Sequence, residues 1–171
     1  PRGDARPTSD RVREAIFSSL GERVVGATVL DLFAGSGALG LEAASRGASA
    51  VTFVENARAS LDAIERNLEV FRRNRGASCR FKVIRADAFK LPALEESFSL
   101  IFADPPYGDA AQKLLKLTLP LAPDGVFVLE SAKRDALTPR ETWSVKREAV
   151  YGDTRVSFLV TSSAPVSSAP V

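Results

Sequence analysis

Asp31-Leu32-Phe33-Ala34-Gly35-Ser36-Gly37-Ala38-Leu39-Gly40 joins an apolar run at 28–33 to a helix-period segment at 37–46. Glycine has no Cβ, so a strand-to-helix turn rich in it can be tight and can let a ligand approach backbone N–H groups. Such a turn belongs to a βαβ unit, and the chain on either side repeats the pattern. Residues 50–55 read as a second strand, followed by a helix with Leu61, Ile64, Leu68 and Phe71 at three- and four-residue steps. Residues 81–86 make a third strand and 99–103 a fourth, which ends in Asp104-Pro105-Pro106-Tyr107; a leucine-rich helix around 112–121 and a fifth strand at 125–130 follow. Upstream, Thr8 or Ser9 can cap a helix with Val12, Ile16, Phe17 and Leu20 on one side and Arg11 and Arg13 off the apolar stripe. Downstream the alternation stops: 143–150 and 155–160 flank Gly152-Asp153, a hairpin signal. The expectation is an α/β fold with a seven-stranded, mostly parallel sheet, an antiparallel C-terminal hairpin at its edge and helices on both faces.

The chain has 171 residues and 18.3 kDa, the size of one domain. That domain is expected over 1–161. Residues 162–171 read SSAPV twice, a low-complexity tail too poor in apolar surface to order itself. Methionine is absent and Pro1 begins the chain, which leads us to expect the initiator and an N-terminal stretch outside this sequence. No apolar run approaches the roughly 20 residues that span a bilayer, and the N-terminus lacks a signal-peptide core. With a single cysteine, Cys79, these features fit a reducing, cytoplasmic location without a membrane partner. Cys79 itself reads as packing. Histidine is absent, which removes imidazole triads and a histidine base, and no metal site is expected. The net charge of +2 is mild. From Arg66 to Lys90, however, eight basic residues stand against Glu69 and Asp87, a local +6. Within it Arg72-Arg73-Asn74-Arg75 is a solvated face or, on the sharper reading, a phosphate contact.

The glycine turn has two ligand readings. Gly35, Gly37 and Gly40 satisfy G-x-G-x-x-G and Glu55 follows Gly35 by 20 residues, as a dinucleotide site and a nicotinamide-dependent oxidoreductase require. A site for S-adenosylmethionine uses the same parts. Asp31 favours the second: a carboxylate ahead of the glycines suits an ammonium and a sulfonium and is awkward beside a pyrophosphate. The plain alternative is a turn that packs helix on strand. Glu55 offers two oxygens to the two hydroxyls of a ribose. Asp87 can accept from an adenine amino group, or cap a helix. Strand-end carboxylates at Asp31, Glu55, Asp87 and Asp104 all fall at one edge of such a sheet, so we read them as one site.

Asp104-Pro105-Pro106-Tyr107 carries the chemistry. Proline cannot donate an N–H, and the second proline holds the first extended, which leaves carbonyls as acceptors. Asp104 and the Pro105 carbonyl can take both hydrogens of one exocyclic amine and aim its lone pair, while Tyr107 stacks on the base. Positioning and electrostatics of this kind suit a histidine-free enzyme that transfers a methyl group to an unpaired or flipped base. Guanine N2 and adenine N6 are equivalent on this argument.

These residues resemble the bacterial 16S rRNA guanine-N2 methyltransferases, within the wider DPPY-type amino methyltransferases. The resemblance runs from Arg6 to about Val160 and is carried by Arg6-Pro7-Thr8-Ser9-Asp10-Arg11-Val12-Arg13-Glu14, by residues 31–41, by Asp104 to Tyr107 and by the segment from Trp143-Ser144 to Arg147-Glu148. It implies a Rossmann-like class I methyltransferase fold, S-adenosylmethionine as donor, and a guanine of 16S rRNA in the assembled or assembling small ribosomal subunit as acceptor. A monomer is expected. The implied donor site comprises Thr8, Arg11, Arg13, Asp31, Phe33, Ala34, Gly35, Ser36, Gly37, Glu55, Asn56, Asp87, Ala88 and Asp104. The implied catalytic set is Asp104, Pro105, Pro106 and Tyr107. The family has a basic N-terminal extension before Arg-Pro-Thr, whereas five residues precede Arg6 here. A noncatalytic RNA-binding module on the same fold is the third reading.

Overall fold

The computed structural model describes residues 9–75 and 78–162; Thr8 and all but the first residue of the 162–171 tail lie outside the described residues. Strands β1 (Thr28–Leu32), β2 (Ala50–Glu55), β3 (Arg80–Arg85), β4 (Phe98–Ala103), β5 (Leu121–Ala132), β6 (Trp143–Tyr151) and β7 (Thr154–Thr161) form one seven-stranded sheet in the order β3-β2-β1-β4-β5-β7-β6. The first five are parallel, and β7 is antiparallel to both β5 and β6. The hairpin therefore inserts its second strand beside β5 and leaves its first at the edge, in keeping with the expected topology.

Alternate residues of each central strand feed two cores. Val29, Val51, Phe53, Leu100, Phe102, Val126 and Val128 face α1 (Asp10–Leu20), α2 (Ala38–Ser45) and α3 (Arg58–Arg75). Leu30, Leu32, Val54, Ile101, Ala103, Phe127 and Leu129 supply the other core. Burial on both faces is what a parallel sheet demands, and it explains the near-continuous apolar runs in the sequence. Helix α1 begins where Ser9 Oγ accepts the Val12 N–H at 3.2 Å. It ends at Gly21, whose positive φ of 53° lets its N–H return to the Phe17 carbonyl. Its buried face is Val12, Ile16, Phe17 and Leu20, as the spacing predicts, with Phe17 tilted on Phe102 at 5.6 Å.

One expected element is corrected. The helix read at 112–121 is α4, only Ala110–Leu114, and β5 starts at Leu121 rather than 125. Pro120 supplies no N–H, and Leu115, Leu117, Leu119 and Leu121 alternate at a period of two, so the segment leaves the helix and runs toward a strand. The carbonyl of Leu115 is taken by Trp143 Nε1 at 3.1 Å. The second face thus carries a single short α-helix and connecting loops among the described residues, a thinner cover than the first.

No described helix is long and apolar enough to cross a membrane.

Candidate active site

All the parallel strands end at one edge, where the connections after β1, β2 and β4 lie side by side. Register fixes this: Leu32 pairs with Val54 on one side and with Ala103 on the other. Glu55 and Asp104 each follow those partners by one residue, so both flank the turn that leaves β1.

Asp31 sits beneath that turn. It is 2% exposed, and its Oδ2 accepts the Gly40 N–H at 3.0 Å. Burial lifts its carboxyl well above the usual carboxylate range; the Gly40 N–H offsets part of this, and the negative charges of Asp104 and then Glu55 add to it. The charges of two other predicted carboxylates thus reach Asp31 across the turn. The turn itself is held from several sides. Ala34 N–H donates to the Val54 carbonyl (3.1 Å) and Gly37 N–H to that of Ala34 (2.8 Å), while Asn67 Nδ2 holds the Ser36 carbonyl at 2.9 Å. Phe33 is the one described non-glycine residue with positive φ, 55°, and its ring meets Phe89 edge-on at 5.3 Å. Backbone strain of about 1–3 kcal/mol at such a residue persists only when its surroundings over-determine it.

The glycines divide their work. At Gly40 a Cβ would lie 2.4 Å from Phe53 Cε1 and 2.8 Å from Val51 Cγ1, so this glycine lets α2 pack on β2. At Gly35, with φ of 58°, a Cβ would meet nothing within 4 Å, so its bareness faces open space. The donor set read from the sequence holds Gly35 and Gly37 but not Gly40, with helix-on-strand packing as the plain alternative for the turn, and the structure gives Gly40 to packing.

Glu55 is tied to the turn. Its Oε1 accepts the Gly35 N–H (2.9 Å), and its Oε2 accepts those of Asn56 and Ala57 (both 2.8 Å). A carboxylate has about four acceptor positions, so the bidentate ribose contact read from the sequence requires one of these amides to give way. Asp87 caps the 3-10 turn Ala88–Lys90 through Phe89 N–H (2.9 Å), the capping alternative, with Ala88 buried behind it. Asp104 is half-buried, Pro105 buried, and Pro106 and Tyr107 exposed, which makes the tetrapeptide a lip on the same edge.

Other predicted residues sit further out. Arg11 lies over the Tyr151 ring at 5.9 Å, and Arg13 pairs with Asp10 at 2.7 Å on the first turn of α1. Arg72, Arg73 and Arg75 occupy the last turn of α3, which has crossed back to the opposite end of the sheet; Arg73 pairs with Glu69 and Arg72 covers Phe81. The solvated-face reading fits this placement. Buried Cys79 packs in the first core, and burial pushes its thiol up. No motif in the sequence marks Arg134, Arg155 or the buried Glu130.

A sulfonium donor fits this arrangement: a buried carboxylate under the turn, a second carboxylate on its rim, and open space over a positive-φ glycine with no side chain to fill it. Among the described residues no cluster of three or more His, Cys, Asp or Glu side chains has the arrangement of a metal site.

Known proteins share the pattern. A family model described as conserved hypothetical protein 95 matches residues 1–160. The chain is 36% identical over 153 residues to ribosomal RNA small subunit methyltransferase D of Escherichia coli (strain K12), a match covering 86% of this chain and 75% of that protein. Among solved structures it is similar to "Putative methyltransferase yhhF" from Escherichia coli, with 32% identity and a TM-score of 0.79 over 94% of this chain and 90% of that one. A T. thermophilus 16S rRNA N2 methyltransferase solved in complex with AdoMet and guanosine shares 27% identity, with a TM-score of 0.69 over 94% of this chain and 44% of that one. The fold is that of the Rossmann-like class I methyltransferases.

Proposed function

The chain belongs to the family described as conserved hypothetical protein 95, and from that premise we propose that it is an S-adenosylmethionine-dependent methyltransferase for the exocyclic N2 amine of a guanine in 16S rRNA. It acts in the cytoplasm as a monomer, on RNA of the assembled or assembling small subunit. The observation that carries this reading is the placement of Asp31, Glu55 and Asp104 around one turn, with the proline pair at its lip. Relatives named as rRNA methyltransferases support the substrate class. The dinucleotide reading of the same glycines loses ground, because a buried carboxylate under the turn opposes a pyrophosphate.

When bound, S-adenosylmethionine supplies an electrophilic methyl group on a positively charged sulfur. Asp31, Glu55 and the turn from Phe33 to Gly37 would hold that donor, with Asn56, Asp87 and Ala88 on the side of its nucleoside. The family resemblance implies a part in the donor site for Arg11 and Arg13, while Thr8 lies outside the described residues. Asp104 and the Pro105 carbonyl accept the two hydrogens of the guanine amine. Its lone pair, conjugated with the ring in the free base, is thereby turned out of the ring plane toward the methyl group. Pro106 keeps Pro105 extended so that this carbonyl stays in place, and Tyr107 stacks on the base. Transfer would move the methyl group from sulfur to nitrogen with S-adenosylhomocysteine as the leaving group, and the surplus proton would pass from the amine to water. Preorganised acceptors in a partly dry site cost no rearrangement at the moment of reaction.

Isotope-labelled donor incubated with small subunits lacking the modification should label 16S rRNA, and mass spectrometry of the digested RNA should find N2-methylguanosine. Label confined to DNA, or to adenine N6, would overturn the substrate assignment.

A further inference from the structure

Tyr107, 37% exposed, ends the proline lip, and the guanidinium of Arg134 lies over its ring at 5.4 Å from the centroid. Arg134 belongs to the turn after β5, far from Tyr107 in sequence, and that turn is anchored on both sides. Lys133 N–H donates to the Asp153 carbonyl (2.7 Å) and Asp135 N–H to that of Ala132 (3.0 Å). Arg155, from β7, then straddles the residue: its Nη2 donates to the Lys133 carbonyl at 3.0 Å and its Nη1 to the Asp135 carbonyl at 2.5 Å. The Arg155 side chain is only 20% exposed, and its Nε lies 3.4 Å from Glu148. One planar fork thus holds the carbonyls of the residues on either side of Arg134, a geometry that lysine cannot reproduce. The reach of Arg134 toward Tyr107 is set by two sheet strands rather than by a free loop.

We infer that Arg134 is a positioning residue for the acceptor base, covering one face of Tyr107 so that the ring is ordered and its other face takes the guanine. This rests on the reading of Tyr107 as the stacking platform. An exposed tyrosine loses rotamer freedom when a base seats on it, and a guanidinium already held over the ring removes part of that loss before binding. The same cation adds positive potential at a lip that must receive a polyanion. Both effects act on seating of the base rather than on transfer, so they belong to KM for RNA and not to kcat.

Steady-state kinetics on small subunits tests this. Arg134→Ala should raise KM for the subunit about five- to tenfold with kcat within about twofold. Arg134→Lys, which keeps the charge and loses the plane, should recover only part of the affinity. Affinity for S-adenosylhomocysteine, read by calorimetry, should stay within about twofold, since Arg134 touches the acceptor side. In tyrosine-labelled protein, Arg134→Ala should shift the ring resonances of Tyr107 and spare those of Tyr151. An unchanged KM, a loss confined to kcat, full rescue by lysine or an unmoved Tyr107 signal would each overturn the inference. Failure of the wild-type protein to label rRNA would instead count against the proposed function, and the tyrosine signals would still report the Arg134 contact.

Discussion

On the side of the crevice proposed for the donor, the polar groups are consumed by the fold: Asp31 is buried on the Gly40 N–H, and Glu55 holds three backbone amides. On the side proposed for the acceptor, Pro106, Tyr107 and Gly108 are exposed, and a contact on the Tyr107 ring comes from a side chain of a distant turn. On the proposed function, the contrast follows from what each side must receive. A small donor can be enclosed by a turn built into the core, whereas a base arriving on a folded RNA needs an open lip. Substitutions should therefore separate: those at the lip should cost catalysis, and those under the turn should change stability and donor affinity together.

The largest effect is expected at Asp104. Removing one of the acceptors that orient the amine resembles the loss of an oxyanion-hole donor, so Asp104→Ala should lower kcat about a hundred- to a thousandfold. Its cost in Tm should stay within about 4 °C, because the residue is half-buried and its charge raises the burden on Asp31. Single-turnover rates with saturating donor, set beside thermal melts, check both halves. A melt depressed in proportion to the rate would erase the distinction between the two sides.

Asp31→Asn probes the donor side. The folded state holds the Asp31 proton more tightly than the unfolded chain does, so between the ordinary carboxylate range and the raised value the folded form binds more protons. The stability associated with that proton is whole below the ordinary range and is lost as pH rises through the raised value. In donor-free protein, Asp31→Asn should accordingly melt higher than wild type at neutral pH, with the gap closing as pH falls toward 4. Donor affinity should drop roughly ten- to a hundredfold, since a hydrogen bond to a charged group is lost. A variant that melts lower than wild type at pH 7 would mean that Asp31 is stabilising as an ion, contrary to its burial.

How far the sequence discloses this arrangement depends on whether a residue's job is local. The carboxylates at Asp31, Glu55 and Asp104 are legible because a strand end and a turn residue announce their own position, and parallel pairing does the rest. The Ser9 cap, the apolar stripe of α1 and the Gly152-Asp153 hairpin are legible for the same reason. The segment 112–121 is misread because leucines fit a helix or a strand, and the deciding signals were Pro120 and the period of two from Leu115. Arg134 and Arg155 carry no signal at all: a surface arginine on a turn looks like solvation until β7 is known to lie beside β5. Nor does sequence tell a glycine needed for packing from one needed for a ligand.

That last distinction gives the smallest and sharpest test. Gly40→Ala drives a methyl group into Phe53 and Val51, and overpacking of about 1–3 kcal/mol should lower Tm by roughly 2–12 °C. Gly35→Ala meets no atom within 4 Å and carries only the penalty of a left-handed alanine, about 1 kcal/mol or roughly 2–4 °C. Its new methyl group projects instead into the space assigned to the donor. Relative to its small loss in Tm, Gly35→Ala should therefore lose more affinity for S-adenosylhomocysteine than Gly40→Ala does, with melts and calorimetry run on the same preparations. If donor affinity merely tracked Tm across the two, the open space over Gly35 would be no part of the binding site, and the turn would be packing throughout.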